Sequence, residues 1–125
     1  MQEPTGLLVA VRAVATRRGV YTPEAYLFVL EALDRILSGL KERRHVSGAD
    51  LLEGIKQLGR DRFGVMATDV FHEWGVRGTL DFGRIVFHLV EADLLSKQDE
   101  DSLSDFIDKF DFRQVFEQEY FLGRT

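Results

Sequence analysis

Apolar residues along this chain recur at helical rather than alternating spacing, and the breaks between periodic stretches fall at glycine or proline. Leu7, Val11 and Val14 follow an i, i+4, i+7 pattern. Arg17 and Arg18 then suit a negative helix end and Gly19 a stop, so a first helix is predicted over residues 5–18. Thr22-Pro23-Glu24 is a start signal. Threonine can cap, proline suits the first helical position, and glutamate faces the positive end of the dipole. The helix it opens runs to about residue 40. Leu27, Leu30, Leu33 and Leu37 lie along one side, while Phe28, Val29, Ala32 and Ile36 cover much of the rest. So wide an apolar surface belongs to a central helix packed on several sides, or to one that also carries a dimer seam.

Ser47 with Asp50 three residues on is a short-armed capping box for a helix over 48–62, whose buried stripe is Leu51, Leu52, Ile55 and Leu58. Gly54 and Gly59 interrupt it, about 140° apart on the helix. Close approach of a neighbour is the favoured reason for both, and a groove is the other. Gly64 breaks the pattern. Met66, Val70 and Trp74 then define a short helix over 65–74, with Phe71 beside them. Thr79 is expected to cap a helix over 80–92 with Phe82, Ile85, Val86 and Leu89 inward. Residues 102–120 combine acids with Phe106, Phe110, Phe112, Phe116 and Tyr120 at helical spacing. Each buried ring contributes roughly 2–3 kcal/mol of transfer free energy, so this segment is expected to dock as two short helices and not to trail as an acidic tail.

Composition agrees with one globular domain. The 125 residues are 45% hydrophobic and 30% charged, which excludes gross disorder. With no cysteine, disulfides, thiolate metal sites and cysteine nucleophiles are excluded. No apolar run reaches the ~18 residues of a membrane span, and no signal-peptide order opens the chain. The expected fold is therefore all-α: a single-domain bundle of six or seven helices, with residues 1–4 flexible and 102–121 docked on the core. Its expected place is the cytoplasm.

The net charge of -5 is unevenly spread. Residues 1–62 hold 10 Lys/Arg and 8 Asp/Glu, and residues 63–125 hold 6 and 13. Solvated faces, with the two halves attracting each other, are the ordinary reading. The candidate interaction patch is Arg43, Arg44, His45, Lys56, Arg60 and Arg62, with Arg43, Arg44 and Arg60 expected to be exposed and free of salt bridges.

No catalytic constellation emerges. His72-Glu73 lacks the second histidine of a zinc-protease helix, since position 76 is valine. His88 and Glu91 stand in the wrong order for a di-iron motif, and His72 and His88 are expected at half-exposed surface positions. Asp99-Glu100-Asp101 lacks the glycine and the final glutamate of a calcium loop. No phosphate cradle or nucleophile elbow exists. No catalytic residue, metal or cofactor is therefore assigned. The three helices between 47 and 92 are compatible with a helix-turn-helix core. The third would offer a groove only Asp81, Arg84, His88 and Glu91, which argues against double-stranded DNA.

Ala25-Tyr26-Leu27-Phe28-Val29, Arg44-His45-Val46-Ser47-Gly48, Phe63-Gly64, Trp74-Gly75, Thr79-x-Asp81-Phe82-Gly83 and Asp111-Phe112 stand together at a fairly specific spacing. They resemble an uncharacterised family of short bacterial conserved hypothetical proteins, over roughly residues 21–120. The resemblance implies a bacterial cytoplasmic protein and brings no activity, cofactor or catalytic residue. One departure is that Arg18-Gly19-Val20 precede Tyr21, where the family pattern has an acidic residue and an arginine. The function expected on all these grounds is a non-catalytic protein-protein interaction module, an adaptor or regulator, monomeric or homodimeric, with a protein partner. The alternative is an RNA- or ribosome-associated factor using the basic patch.

Overall fold

A computed structural model describes residues 3–41, 46–95 and 110–118, with side chains from residue 6 onward. Among the described residues all regular structure is helical: α1 Glu3–Arg18, α2 Pro23–Gly39, α3 Gly48–Phe63, α4 Ala67–Glu73 and α5 Thr79–Glu91. A 3-10 turn, Gly64–Met66, leads into α4, and a π-helical turn spans Gln114–Gln118. Five α-helices are thus described where six or seven were expected. Phe106, Tyr120, the Asp99–Asp101 run and most of the anticipated C-terminal helices lie outside the described residues. The first helix starts at Glu3, inside the stretch expected to be flexible, because Pro4 falls in a first turn that needs no amide donor from it.

The helix α2 is central and packs against α1, α3 and α5, which also meet one another in part. Its buried residues are Ala25, Tyr26, Phe28, Val29 and Ala32. The leucine stripe is therefore not the core face: Leu27, Leu30 and Leu33 are half-buried, and Leu37 is 48% exposed in the last turn. Tyr26 faces α5, where it meets His88, and Ile36 lies against Gly54 of α3. On α1, Val11 and Val14 are buried as expected, but Leu7 is 39% exposed. On α4 the expected Met66–Val70–Trp74 stripe is rotated by about one residue. Ala67, Thr68 and Phe71 face inward and Met66 faces out. Phe71 sets this rotation. Its ring centroid lies 5.3 Å from those of Phe28 and Phe82, 5.4 Å from Phe112 and 5.5 Å from Phe116.

Residues 110–118 thereby dock through Phe112, Val115 and Phe116, all buried. Gly59 makes this possible. A Cβ there would stand 3.0 Å from the Phe116 ring and 3.3 Å from Phe71. At Gly54 a Cβ would stand 2.5 Å from Ile36 of α2, so both glycines admit a close neighbour. The Ser47–Asp50 capping box is formed, with reciprocal bonds of 3.1 Å. Thr22 occupies the N-cap of α2 but makes no capping bond, and its backbone N–H donates instead to the carbonyl of Trp74 at 3.2 Å. Thr79 is the first residue of α5 and not its cap. Gly78 precedes it, and Asp81 supplies the missing acceptor.

Candidate functional site

The described members of the basic patch are already engaged. Arg62 forms a two-pronged pair with Glu31 of α2, one arm at 2.7 Å. Lys56 pairs with Glu53 at 3.2 Å and stands 5.9 Å above the Phe110 ring. Arg60 is half-buried and donates to the carbonyl of Val115 at 3.4 Å, so the expectation that it is exposed and unengaged is corrected. The reason is tertiary: residues 110–118 settle beside this end of α3. Arg43, Arg44 and His45 lie outside the described residues. Arg35 pairs with Asp61 at 3.1 Å, so several basic side chains of α2 and α3 are matched within the N-terminal half.

A different group of polar residues converges where the end of α1 and the start of α2 meet α5. The corner is held locally. Gly19 ends α1 at φ +70, and Gly75 turns at φ +90 with its Cα so close to Val20 that a Cβ would stand 2.6 Å from the Val20 carbonyl. Only a residue without Cβ lets residues 20–22 lie across this turn. Tyr21 is buried there and donates to Asp81 Oδ1 at 2.5 Å, a bond between residues 60 apart in sequence. The other carboxylate oxygen of Asp81 accepts from the N–H groups of Arg77 at 2.8 Å and Gly78 at 3.0 Å. Arg84, one turn on, approaches Asp81 at 3.4 Å. This one carboxylate is therefore shared among four donors.

One turn further along α5, His88 meets Tyr26, which is fully buried on α2. The Tyr26 hydroxyl, whose pKa burial raises, shares a hydrogen bond with His88 Nδ1 at 2.8 Å. The Tyr21, Tyr26 and His88 rings are mutually 6.0–6.2 Å apart. Burial first, then the positive charges of Arg18 and Arg84, hold the His88 imidazole below its usual pKa. Burial first, then the bond to Asp81, pushes the Tyr21 phenol up. Arg18 thus bears on this cluster from α1, and its Nε is buried with no hydrogen-bond partner among the described residues. At the rim, Val20 is 59% and Phe87 50% exposed. They are chain neighbours of Tyr21 and His88.

Sequence reasoning placed His88 at a half-exposed surface position, as found, and named Arg84 and Asp81 on a helix unsuited to DNA and Tyr21, Tyr26 and Asp81 within a resemblance, but it joined none of them into one site. The signal open to it was limited to Arg17-Arg18 followed by two tyrosines within eight residues. Among the described residues no three His, Asp or Glu side chains are grouped to hold a metal ion, and no helix is long and apolar enough to cross a membrane. No protein-family model, curated protein or solved structure matches the chain.

Proposed function

We propose that this chain is a non-catalytic protein-interaction module, an adaptor or regulator of the bacterial cytoplasm, and that it docks its partner on the face shared by the end of α1 and the outer side of α5. The observation that carries this reading is the pair of exposed apolar residues, Val20 and Phe87, flanking buried tyrosines and two arginines. Interface centres are enriched in tyrosine, arginine and other aromatics, framed by apolar contacts that exclude water. The family whose motifs the chain resembles belongs to this proposal as well. A helix-turn-helix use of α3 to α5 is not part of it, because α5 turns only Arg84, Phe87 and Glu91 fully outward.

RNA binding by the α3 patch finds less support, since Lys56 and Arg62 are held in ion pairs. The test is site-specific crosslinking. A photoreactive phenylalanine analogue replaces Phe87, Val20 or, as a control at another exposed apolar position, Met66, in cells that express the protein naturally. One discrete protein adduct from Phe87 and Val20, absent from Met66, is the expected result. Adducts only to RNA, or equal labelling from all three positions, would refute the reading.

A further inference from the structure

Side chains of α2 and of the corner before it reach α5 through two hydrogen bonds, Tyr21 to Asp81 and Tyr26 to His88. The second has the narrower choice of states. Tyr26 is fully buried, so its hydroxyl is shielded from water, and His88 Nδ1 at 2.8 Å is its hydrogen-bond partner among the described residues. The phenol hydrogen is satisfied only by donating. A neutral imidazole with its proton on Nε2 offers Nδ1 as the acceptor. Imidazolium carries a proton on both nitrogens. The bond must then reverse, with Nδ1–H donating to the phenol oxygen, and the phenol hydrogen is left buried without an acceptor. An unmatched donor in an apolar interior is unfavourable, and opening the contact to water removes the conflict.

We propose that the Tyr26–His88 bond is an acid-released latch: neutral His88 fastens the last turn of α5 to α2, and protonation of its imidazole unfastens it. Phe82 and Ile85 are fully buried earlier on α5, so the helix stays docked and the opening is confined to its end. The groups around His88 are Tyr26 from α2, Tyr21 from the connecting corner, Arg18 from α1, and Arg84 on its own helix, with Asp81 bound to Tyr21 and Glu91 exposed one turn on. Among the described residues α3, which also packs on α5, brings no charge to bear on it. Burial first, then Arg18 and Arg84, disfavour imidazolium in the same direction as the latch. The latch is therefore closed above the usual histidine pKa of about 6.5 and gives way as the pH falls below it.

The test compares the full chain with Tyr26→Phe, which keeps the ring and its burial and removes only the hydroxyl. Imidazole nitrogen shifts report the protonation of His88, and amide hydrogen exchange reports the last turn of α5. In the parent at pH 7.5 the imidazole proton is expected on Nε2. Between pH 7.5 and 5.5, with intrinsic exchange rates divided out, amide protection over residues 88–91 is expected to fall roughly fivefold or more, while that of α2 over 28–32 holds. In Tyr26→Phe the titration of His88 should move up and the fall in protection should largely vanish. His88→Asn has no such proton to gain and should lose the fall as well, which keeps the test decisive if Tyr26→Phe does not fold. A proton on Nδ1 at pH 7.5, or a flat exchange profile in the parent, would overturn the proposal. So would an equal loss of protection in α2, or a response that survives removal of the Tyr26 hydroxyl or of the His88 imidazole.

Discussion

Truncation of Phe116 to alanine tests whether residues 110–118 belong to the core. The ring is fully buried, with centroids 5.5 Å from Phe71, 5.9 Å from Phe112 and 6.2 Å from Phe110. Its edge also lies over Gly59 of α3. Losing the transfer free energy of a buried phenyl costs roughly 2–3 kcal/mol. The void adds to this. At about 24 cal/mol per Å3, a residual cavity of about 50–80 Å3 contributes ~1–2 kcal/mol. The expected loss is ~3–5 kcal/mol, a large fraction of the ~5–15 kcal/mol that keeps a domain folded. For a chain of this length the unfolding entropy is ~0.26 kcal/mol/K, so Tm should fall by about 12–19 °C. Phe116→Leu keeps most of the volume and should lose less than half as much. Calorimetry and urea unfolding followed by circular dichroism measure both. A Tm within 2 °C of the parent for both variants, on the strength of ~0.26 kcal/mol/K, would mean that the aromatic segment contributes nothing to the core.

Other outcomes follow from the α1–α5 corner and the ion pairs. His88 binds its proton more weakly folded than unfolded, so the unfolded state takes up more protons below the usual histidine pKa of about 6.5, and stability falls as the pH drops through that value. The unfolding free energy measured from pH 7.5 to 5 should decline less steeply in His88→Asn, and identical slopes would contradict the assignment. Tyr21 behaves oppositely. Its raised pKa makes the folded state hold its proton longer, so stability is full below the usual tyrosine pKa of about 10 and declines above it. Tyr21→Phe should flatten that alkaline decline, read by unfolding at pH 9 to 11. Gly75→Ala meets both a positive φ and the Val20 carbonyl, and should cost roughly 2–4 kcal/mol in urea unfolding. Retention of full stability there would mean that the corner can move. Arg62→Ala loses a half-exposed ion pair with Glu31 and should cost under about 1 kcal/mol. A much larger loss in the same assay would show that the pair is structural.

The sequence by itself determined the helical class, most helix boundaries, the Ser47–Asp50 cap, the close approaches at Gly54 and Gly59 and the inward aromatics of 110–118. These are set by local periodicity and capping chemistry, which act over a few residues. It placed α2 as the central helix but left open which of its sides is most deeply buried, and it misjudged the inward face of α4, because Leu37 and Met66 are as apolar as their buried neighbours and only the partner helices select among them. It also placed its candidate patch on exposed lysine and arginine, whereas the described members are matched by Glu31, Glu53 and the Val115 carbonyl. The Tyr21–Asp81 and Tyr26–His88 bonds join residues 60 and 62 apart. Only the packing of α2 against α5 decides that they meet, since no short-range preference of either residue encodes the other.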